Sequence, residues 1–378
     1  MSTFLRSVLH RSLAGWRVGG RESAGRPDGA GGGSDSRASN VLVLGGAGYL
    51  GSVLVPGLLA RGFRVRIFDS FLFGEESLRD VRFHSRCELV RGDVRDRKEL
   101  LRAALGFDSV IHLAGIVGDG ACEENKQLAT EINCAATRML AESAPRCGIR
   151  RLLFASSCSV YGSSGGRLSE DSLLNPLSVY AQSKIESEKA LLAARTKEFA
   201  PTVLRLGTLF GISARMRFDL VVNLLVARAV SSGRITICNG HSWRPLLHVR
   251  DAARAFLACL EAETDLVSGQ VFNTGSNFLN LQIKDLGDIV ASLIPGTKVA
   301  VIENKADRRT YRVSFDKIRR TLGFACRESV ESGVREISAA IRSGDIIDFG
   351  RWDSAEARFN NQLAMRMLAA AAAGNALA

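Results

Sequence analysis

The chain has 378 residues, of which 46% are apolar, and its 50 lysines and arginines exceed its 39 acidic residues to give a net charge of +11. This length and apolar content suffice for one large or two moderate domains, and the longest apolar runs fall short of the ~18 residues that a membrane-spanning helix needs. The positive charge is spread along the chain without a recognisable nucleic-acid motif, so it favours a diphosphate-bearing small molecule over a nucleic acid or a membrane as partner.

Residues 1–39 are expected to form a disordered or targeting extension. The stretch up to Arg21 contains arginines and no acidic residue, as mitochondrial transit peptides do, and the glycine-rich stretch that follows is typical of a flexible linker. A disordered tail is the simpler interpretation. The eight cysteines have no paired spacing and predict free thiols in a reducing compartment, with no metal site. The expected location is therefore the cytoplasm, with the mitochondrion as the alternative.

The fold is expected to begin at Asn40 with a strand, a glycine-rich turn and a helix. Val41 to Leu44 is a short apolar run typical of a buried parallel strand, and it leads directly into Gly45-Gly-Ala-Gly-Tyr-Leu-Gly51. The spacing of these glycines differs slightly from the standard dinucleotide-binding fingerprint. Its purpose is the same, because a tight turn lets the backbone and the helix N-terminus approach a pyrophosphate. Alone, such a turn could be an ordinary loop.

Three more predicted strands end in residues that suit a dinucleotide. Arg64 to Asp69 ends in a carboxylate, which can accept both hydroxyls of an adenosine ribose and would repel a 2′-phosphate, so NAD is favoured over NADP. The next strand ends at Asp93 and Val94, where an adenine could lie, and the third ends in the small residues of Leu113 to Gly115. Since these strands alternate with helices, the sequence predicts an α/β fold with a doubly wound parallel sheet.

A phenol and an amine on one helix face supply candidate chemistry. Tyr180 and Lys184 are one turn apart, so the amine charge is expected to lower the phenol pKa from its usual value of about 10. With the Ser157 hydroxyl as a donor, the pair could take the proton of a secondary alcohol while a hydride leaves to a nicotinamide. A lone Tyr-x-x-x-Lys spacing is common on solvated helices, and Ser157 alone is best explained as a cap. Their combination with the glycine-rich turn indicates redox chemistry.

Residues 40–345 resemble the extended short-chain dehydrogenase/reductases, and among them the NAD-dependent nucleotide-sugar epimerase/dehydratase group. The motifs that carry the resemblance, in the order of the family, are Gly45 to Gly51, Gly92-Asp-Val94, His112-Leu-Ala114, Phe154 to Gly162, Tyr180 with Lys184, Arg244 to Val249 with Asp251, Phe272-Asn-Thr-Gly275 and Asp307 to Val313. We expect a Rossmann-type NAD-binding domain at 40–205 and a smaller α/β substrate domain at 206–345, some of whose strands return to the Rossmann core. A C-terminal tail at 346–378 would follow.

The resemblance implies a role for each matching residue. Tyr180 would be the acid/base, Lys184 would lower its pKa and hold the nicotinamide ribose, and Ser157 would hydrogen-bond the reacting oxygen. Asn133 matches a helix asparagine of the family and completes the catalytic set. The implied cofactor contacts are Gly45, Gly48, Tyr49, Leu50, Gly51, Asp69, Asp93, Val94, Leu113, Ala114, Gly115, Tyr180 and Lys184. A homodimer is implied as well, formed by the helix after Gly115 and the helix that carries Tyr180.

The second half is expected to hold the diphosphate of the substrate, because guanidinium groups bind diphosphates in a bidentate manner. The candidate substrate contacts are Ser157, Arg215, Arg217, Asn223, Arg244 and Arg309. For any single arginine, a solvated surface position is an equally good explanation. The stretch from Arg215 to Asn223 resembles a subgroup that includes 4-dehydrogenases of GDP-linked heptose and proteins labelled UDP-glucose 4-epimerase.

One departure from the family pattern narrows the expected reaction. Cys158 and Ser159 stand where the 4,6-dehydratases of the family have an Asp-Glu pair, so dehydration is disfavoured. The leading expectation is oxidation and reduction at C4 of a UDP-, GDP- or dTDP-linked sugar with NAD, most simply a 4-epimerisation. The alternatives are a 4-dehydrogenase or 4-ketoreductase and, in another class, a non-catalytic scaffold subunit that holds the cofactor.

Overall fold

The computed structural model describes residues 40–303, 307–346, 360–366 and 368. The expectations for residues 1–39, and for most of the expected tail at 346–378, therefore lie outside the described residues. The first described strand begins at Asn40, where the sequence predicts that the fold starts.

The strands divide into one large sheet and three smaller ones. They are β1 (Asn40–Leu44), β2 (Arg64–Asp69), β3 (Cys87–Arg91), β4 (Ser109–His112), β5 (Arg151–Ser157), β6 (Ser163–Leu168), β7 (Ala200–Leu206), β8 (Thr208–Phe210), β9 (Arg234–Cys238), β10 (Trp243–His248), β11 (Val271–Thr274), β12 (Asn280–Gln282), β13 (Lys298–Ile302) and β14 (Thr310–Val313). The large sheet is seven-stranded, in the order β11-β7-β5-β4-β1-β2-β3, and every neighbouring pair in it is parallel.

The α-helices cover both faces of the large sheet and fill the second half of the chain. They are α1 (Gly51–Ala60), α2 (Arg97–Ala104), α3 (Asp119–Glu124), α4 (Lys126–Thr130), α5 (Ala136–Ser143), α6 (Val179–Ala193), α7 (Val221–Ser232), α8 (Val249–Glu261), α9 (Thr264–Val267), α10 (Ile283–Leu293), α11 (Asp316–Leu322) and α12 (Val330–Arg342). A π-helical turn, Glu131–Ala135, joins α4 to α5. Residues 361–366 form a further short helix.

Alternation of side chains along β1 shows how the sheet is enclosed. Val41 and Val43 pack with residues of α1 and α8 on one face. Leu42 and Leu44 point to the other face and pack with residues of α2, α5 and α6. Because successive side chains of a strand point to opposite faces, a continuous apolar run is what a strand covered on both sides requires. The predicted doubly wound parallel sheet is confirmed.

The second half of the chain contributes both to the large sheet and to separate small sheets. β11 pairs with β7 at the edge of the large sheet. β10 pairs with β8 and β12, while β9 pairs with β13 and β6 with β14. Strand β6 lies before the expected domain boundary at 205/206, and its partner β14 lies after it. This small sheet therefore joins residues from both sides of the boundary. That boundary stays a prediction.

Candidate active site

A cavity of about 650 Å³ lies beyond the carboxyl ends of the large sheet. Most of the predicted site residues line it, namely Gly45, Gly48, Tyr49, Leu50, Gly51, Asp69, Asp93, Val94, Leu113, Ala114, Gly115, Ser157, Tyr180, Lys184, Arg215, Arg217, Arg244 and Arg309. Asn133 and Asn223 are not among the lining residues. The position agrees with the general rule that open parallel sheets bind ligands at the carboxyl ends of their strands.

The glycine-rich turn is packed tightly on one side and open on the other. Gly45 has a φ of +79°, and a Cβ there would lie 2.6 Å from the backbone nitrogen of Ala114. A Cβ on Gly48 would meet only the Gly45 carbonyl oxygen, at 3.3 Å. The turn thus lies against the end of β4 and leaves its backbone accessible from the cavity, at the N-terminus of α1. A pyrophosphate fits this arrangement.

The Asp69 carboxylate lies beside this turn at the end of β2. It accepts hydrogen bonds from the backbone N–H groups of Ala47 at 2.9 Å and Phe71 at 2.8 Å. Burial raises the pKa of Asp69, and these two hydrogen bonds oppose that effect. Each bond uses one acceptor position of the carboxylate, which leaves further lone pairs for ribose hydroxyls. The turn and the acid together fit the adenosine half of NAD.

Asn133 lies behind the cavity wall and fixes the loop that follows β4. Its side-chain amide donates to the Ile116 carbonyl at 2.8 Å and accepts from the Ile116 N–H at 2.8 Å. A Cβ on Gly115 would lie 2.8 Å from the Asn133 Oδ1 atom, so the glycine is required for this approach. Asn133 sits in the π-helical turn, a feature that is frequent near functional sites. Its contacts position the cavity wall.

Tyr180, Lys184 and Ser157 meet in the cavity from two elements. Ser178 caps the N-terminus of α6, so Tyr180 lies in its first turn, and Ser157 is the last residue of β5. The Lys184 amine donates to the carbonyl of Ala155 at 2.9 Å and lies 5.7 Å from the centre of the Tyr180 ring. The Ser157 hydroxyl accepts from the N–H of the second residue after it at 3.1 Å, as the expected cap would.

The pKa of Tyr180 is raised in this arrangement, and its lowering by Lys184 stays a prediction. Burial raises the pKa of the Tyr180 phenol, and the groups that oppose this are Arg217 and a hydrogen bond to Ser157. Burial also lowers the pKa of Lys184 to about 8. At this pKa the amine is largely protonated near neutrality, and its positive charge lies 5.7 Å from the centre of the Tyr180 ring. Sequence reasoning missed Arg217 in this role, since only folding brings it near α6.

The predicted substrate arginines form two groups. Arg244 and Arg309 share the carboxylate of Asp307, with nitrogen to oxygen distances of 3.1 Å and 2.8 Å. Arg217 pairs with Asp219 at 2.6 Å, and Arg215 lies beside it. Arg215, Arg217 and Arg244 are each less than 10% exposed, so a solvated surface position does not describe them.

Asn223 is fully buried in α7 and does not reach the cavity. Its amide donates to the Tyr49 hydroxyl at 3.2 Å and to the Arg217 carbonyl at 2.9 Å, and accepts from the Gly211 N–H at 3.0 Å. The Tyr49 hydroxyl itself donates to the Gly211 carbonyl at 2.6 Å. These bonds tie the loop that carries Arg217 to the glycine-rich turn. The predicted substrate contact is thus a residue that holds this loop in place.

Cys158 and Ser159, the departure from the dehydratase pattern, point in different directions. The Cys158 thiol is buried away from the cavity and donates to the Arg205 carbonyl at 3.2 Å, and burial raises its pKa. Ser159 lines the cavity, and its hydroxyl has no hydrogen-bond partner among the described residues. Neither group is a strong acid or base.

Residues 41–275 match the model of the NAD dependent epimerase/dehydratase family. The chain belongs to this family. The predicted family and the prediction of an NAD-dependent enzyme are confirmed, and NAD is the cofactor that the glycine-rich turn and Asp69 fit. The cavity and its polar lining therefore form the candidate active site of a family member.

The similarity of this chain to named proteins covers most of its length. It is 28% identical over 341 residues to UDP-glucose 4-epimerase 3 of Oryza sativa subsp. japonica, covering 82% of this chain and 91% of the relative. Among solved structures, MoeE5 in complex with UDP-glucose and NAD has a TM-score of 0.71 and 28% identity, covering 81% of this chain and 100% of that chain. DesIV, a dTDP-glucose 4,6-dehydratase from Streptomyces venezuelae with NAD and TYD bound, has a TM-score of 0.73 and 26% identity, covering 81% and 98%.

Three further observations concern membrane-spanning helices, metal sites and cysteines. No helix in the described ranges has the length and apolarity to cross a membrane. Within the same ranges, no group of three or more histidine, cysteine or acidic side chains is arranged to hold a metal ion. All eight cysteines are free thiols. The homodimer and the cytoplasmic location stay predictions.

Proposed function

We propose that this enzyme is a nucleotide-sugar 4-epimerase. The observation that carries the proposal is the meeting of Tyr180, Ser157 and Lys184 in the same cavity as the glycine-rich turn. A hydroxyl next to a phenol suits a reacting alcohol, and the turn suits the cofactor that exchanges a hydride with that alcohol. The names of the rice relative and of MoeE5 with its UDP-glucose support a nucleotide sugar as the substrate.

In this proposal the protein moves one proton at the C4 oxygen. The ionised Tyr180 accepts the proton of the C4 hydroxyl, and Ser157 donates a hydrogen bond to the same oxygen as it becomes a carbonyl. The chemistry that NAD supplies when bound is the acceptance and return of a hydride at C4. For epimerisation the 4-keto sugar presents its other face before the hydride returns, and Tyr180 then gives back the proton.

The state of Tyr180 controls the rate of this step. Because burial raises its pKa, most of the phenol is protonated at neutral pH, and the enzyme depends on groups that favour the phenolate. Arg217 is such a group. Lys184, which the pKa of about 8 leaves largely charged near neutrality, holds the Ala155 carbonyl at the edge of the cavity. It would bind the nicotinamide ribose from there.

The diphosphate of the sugar nucleotide is proposed to bind at Arg244 and Arg309. The two guanidinium groups are held next to each other by Asp307, so their orientation is set before the substrate arrives. Asp307 pairs with both arginines and Asp119 pairs with Arg309, so the two carboxylates balance the two guanidinium charges, and the diphosphate would bind through the guanidinium N–H donors. Arginines that are ordered in advance lose less side-chain entropy on binding than free ones.

Dehydration is disfavoured in spite of the likeness to DesIV. Elimination of water next to C4 needs a second acid and base, and the two residues after Ser157 provide only the buried thiol of Cys158 and the hydroxyl of Ser159. A buried thiol with a raised pKa is a poor base. We therefore propose that no water is lost and that the hydride returns to C4.

A product assay tests this proposal. The purified full-length enzyme is incubated with UDP-glucose, GDP-glucose and dTDP-glucose in turn, and the sugars are separated after hydrolysis. We expect one of these nucleotide sugars to be converted to its C4 epimer without accumulation of NADH. NADH that accumulates in proportion to a 4-keto product would instead identify a 4-dehydrogenase, and a 4-keto-6-deoxy sugar would identify a dehydratase.

A further inference from the structure

Arg215 lies at the amino end of α1, although the sequence suggests that it binds the substrate. The backbone N–H of Arg215 donates to the hydroxyl of Ser213 at 3.2 Å. That hydroxyl donates to the Tyr49 carbonyl at 2.7 Å and lies 2.7 Å from the hydroxyl of Ser52. Tyr49 belongs to the glycine-rich turn, and Ser52 belongs to the first turn of α1. Arg215 is therefore anchored where a dinucleotide places its pyrophosphate.

The guanidinium group of Arg215 is buried and only partly satisfied. It lies over the ring of Phe73, 3.8 Å from the ring centre, and its Nη2 atom donates to the Asn361 side-chain oxygen at 2.7 Å. Its Nε–H has no hydrogen-bond partner among the described residues, although Arg215 is only 6% exposed and lines the cavity. A buried donor without an acceptor costs about 1 to 3 kcal/mol. Nε itself is enclosed, so an acceptor in the cavity can reach only the part of the guanidinium group that lines it.

Asn361 connects Arg215 to the opposite side of the turn. Its side-chain nitrogen donates to the carbonyl of Val117, in the loop after β4, at 3.0 Å. The next residue, Gln362, lines the cavity and donates to Glu124 in α3 at 2.8 Å. Met365 is 4% exposed and belongs to the apolar cluster that packs against Tyr180. Residues 360–366 therefore lie across the cavity from the loop after β4 to Arg215.

We propose that Arg215, Phe73 and Asn361 form a clamp over the pyrophosphate of NAD, with residues 360–366 as its outer wall. Phe73 follows Asp69 on the adenosine side, whereas Val117 follows β4 on the other side, so the clamp spans the position between the two halves of the cofactor. The part of the Arg215 guanidinium group that lines the cavity supplies an N–H to a phosphate oxygen, and Asn361 keeps the guanidinium plane in position.

The charged groups around Arg215 favour the cofactor over the substrate as its ligand. Burial and the charge of Arg217 lower the pKa of Arg215, and Asp219 and Asp69 oppose them, so that the pKa is about 9. Asp69 is the residue that fits the adenosine ribose, so Arg215 lies within electrostatic reach of the cofactor site. The arginines proposed for the substrate diphosphate, Arg244 and Arg309, are grouped around Asp307 instead.

The clamp has a consequence for the reaction. An enzyme that takes a hydride from a sugar and returns it to the same sugar has to retain the reduced cofactor between the two steps. A guanidinium group on the pyrophosphate would slow its release. The proposed clamp depends on NAD, the cofactor of the family, and does not depend on which sugar nucleotide is the substrate.

Binding to three variants of the full-length protein tests the clamp. Arg215→Met removes the charge and keeps most of the side-chain length, Asn361→Ala removes the group that orients Arg215, and Arg366→Ala is the matched control. Arg366 is exposed and contacts Glu124 from the same helix without touching Arg215. The probes for calorimetry are NAD, ADP-ribose, adenosine and UDP, and stopped-flow fluorescence follows the release of NADH.

We expect Arg215→Met to raise the Kd for NAD and ADP-ribose about 10-fold or more, because a hydrogen bond to a charged group contributes that much. Asn361→Ala gives a smaller increase in the same direction, with faster NADH release. Adenosine and UDP bind to both variants within about 2-fold of the wild type, and Arg366→Ala behaves as the wild type with all probes.

Two results would overturn the clamp. If UDP and not ADP-ribose loses affinity in Arg215→Met, the residue binds the substrate as the sequence suggests. If the two variants lower the melting temperature but leave every Kd unchanged, Arg215 and Asn361 have only a structural role. Since Asn361 lies in the short helix at 361–366, outside the sheets and the helices that cover them, its variant keeps the test valid if Arg215→Met does not fold. Failure of the proposed epimerase activity alone would leave the expected NAD affinities unaffected.

Discussion

The positive charge of Arg217 favours the ionised form of Tyr180. Burial raises the pKa of the Tyr180 phenol, Cys122 raises it further, and Arg217 is the strongest of the groups that lower it. Arg217 is itself held by two bonds to Asp219, at 3.1 Å and 2.6 Å. From the loop before α7, the charge of Arg217 thus acts on a side chain in the first turn of α6 that is 37 positions away in the sequence.

Replacement of Arg217 by glutamine is expected to move the rise of kcat with pH to higher pH. The phenolate loses its favourable charge, so a larger fraction of Tyr180 stays protonated at neutral pH and turnover falls there, while at alkaline pH it approaches that of the wild type. The measurement is a pH–rate profile of both enzymes at saturating substrate. Arg309→Gln, also at the cavity, is the control, and it should raise KM without moving the profile. An unshifted profile in Arg217→Gln would contradict the role of this charge.

Replacement of Tyr180 by phenylalanine is expected to reduce kcat by roughly 10²- to 10⁴-fold, because the group that accepts and returns the C4 proton is lost. The cofactor should still bind, since the glycine-rich turn and Asp69 are untouched. The measurements are turnover with the substrate found in the product assay and NAD affinity by calorimetry. A variant that turns over at the rate of the wild type would rule out Tyr180 as the acid/base.

Replacement of Lys184 by methionine is expected to change how stability depends on pH. The pKa of Lys184 is about 8 in the folded state, below its ordinary 10.5, so the unfolded state binds more protons between these values and the wild type gains stability as pH rises. The difference corresponds to roughly 3 kcal/mol. The variant lacks this gain. Its free energy of unfolding, expressed relative to that of the wild type, should therefore decrease as the pH is raised from about 7 to about 10.

Urea unfolding at the two pH values provides the measurement. The matched control is Lys189→Met on the same helix, because Lys189 is exposed and, among the described residues, its one ion pair is with Glu186. Its stability relative to the wild type should vary little over this range. A constant difference for Lys184→Met would mean that the amine is not desolvated in the folded protein.

Replacement of Asn133 by alanine is expected to loosen the loop after β4. Both backbone groups of Ile116 lose their partners, which costs about 1 to 3 kcal/mol for each buried group left unpaired. We expect lower stability, weaker NAD binding and faster amide exchange at Ile116. The control is Asn125→Ala, which removes the cap of α4 but no contact to this loop. It should lower stability by about 1 kcal/mol without affecting NAD affinity. Equal effects of the two variants on NAD binding would contradict the assignment.

The sequence was sufficient to predict those features that depend on residues close together along the chain. Val41 to Gly51 specifies strand, turn and helix through residues that are neighbours along the chain, and Asp69 ends the next strand by the same local pattern. The parallel sheet, the family and the cofactor followed from such units. Tyr180 and Lys184 share a helix face for the same reason, since backbone periodicity fixes which side chains are close.

Tertiary structure decided what these side chains do to each other. Lys184 turns to the Ala155 carbonyl, Asn223 faces the Tyr49 hydroxyl, and Arg215 meets Asn361, which follows it by 146 positions. Side-chain orientation depends on the hydrogen-bond partners and the burial that packing of distant segments creates, and neither is encoded in local spacing. The sequence by itself therefore determined the fold, the cofactor and the chemical groups at the site. Packing decided which charged groups lie near the phenol and which residues line the cavity.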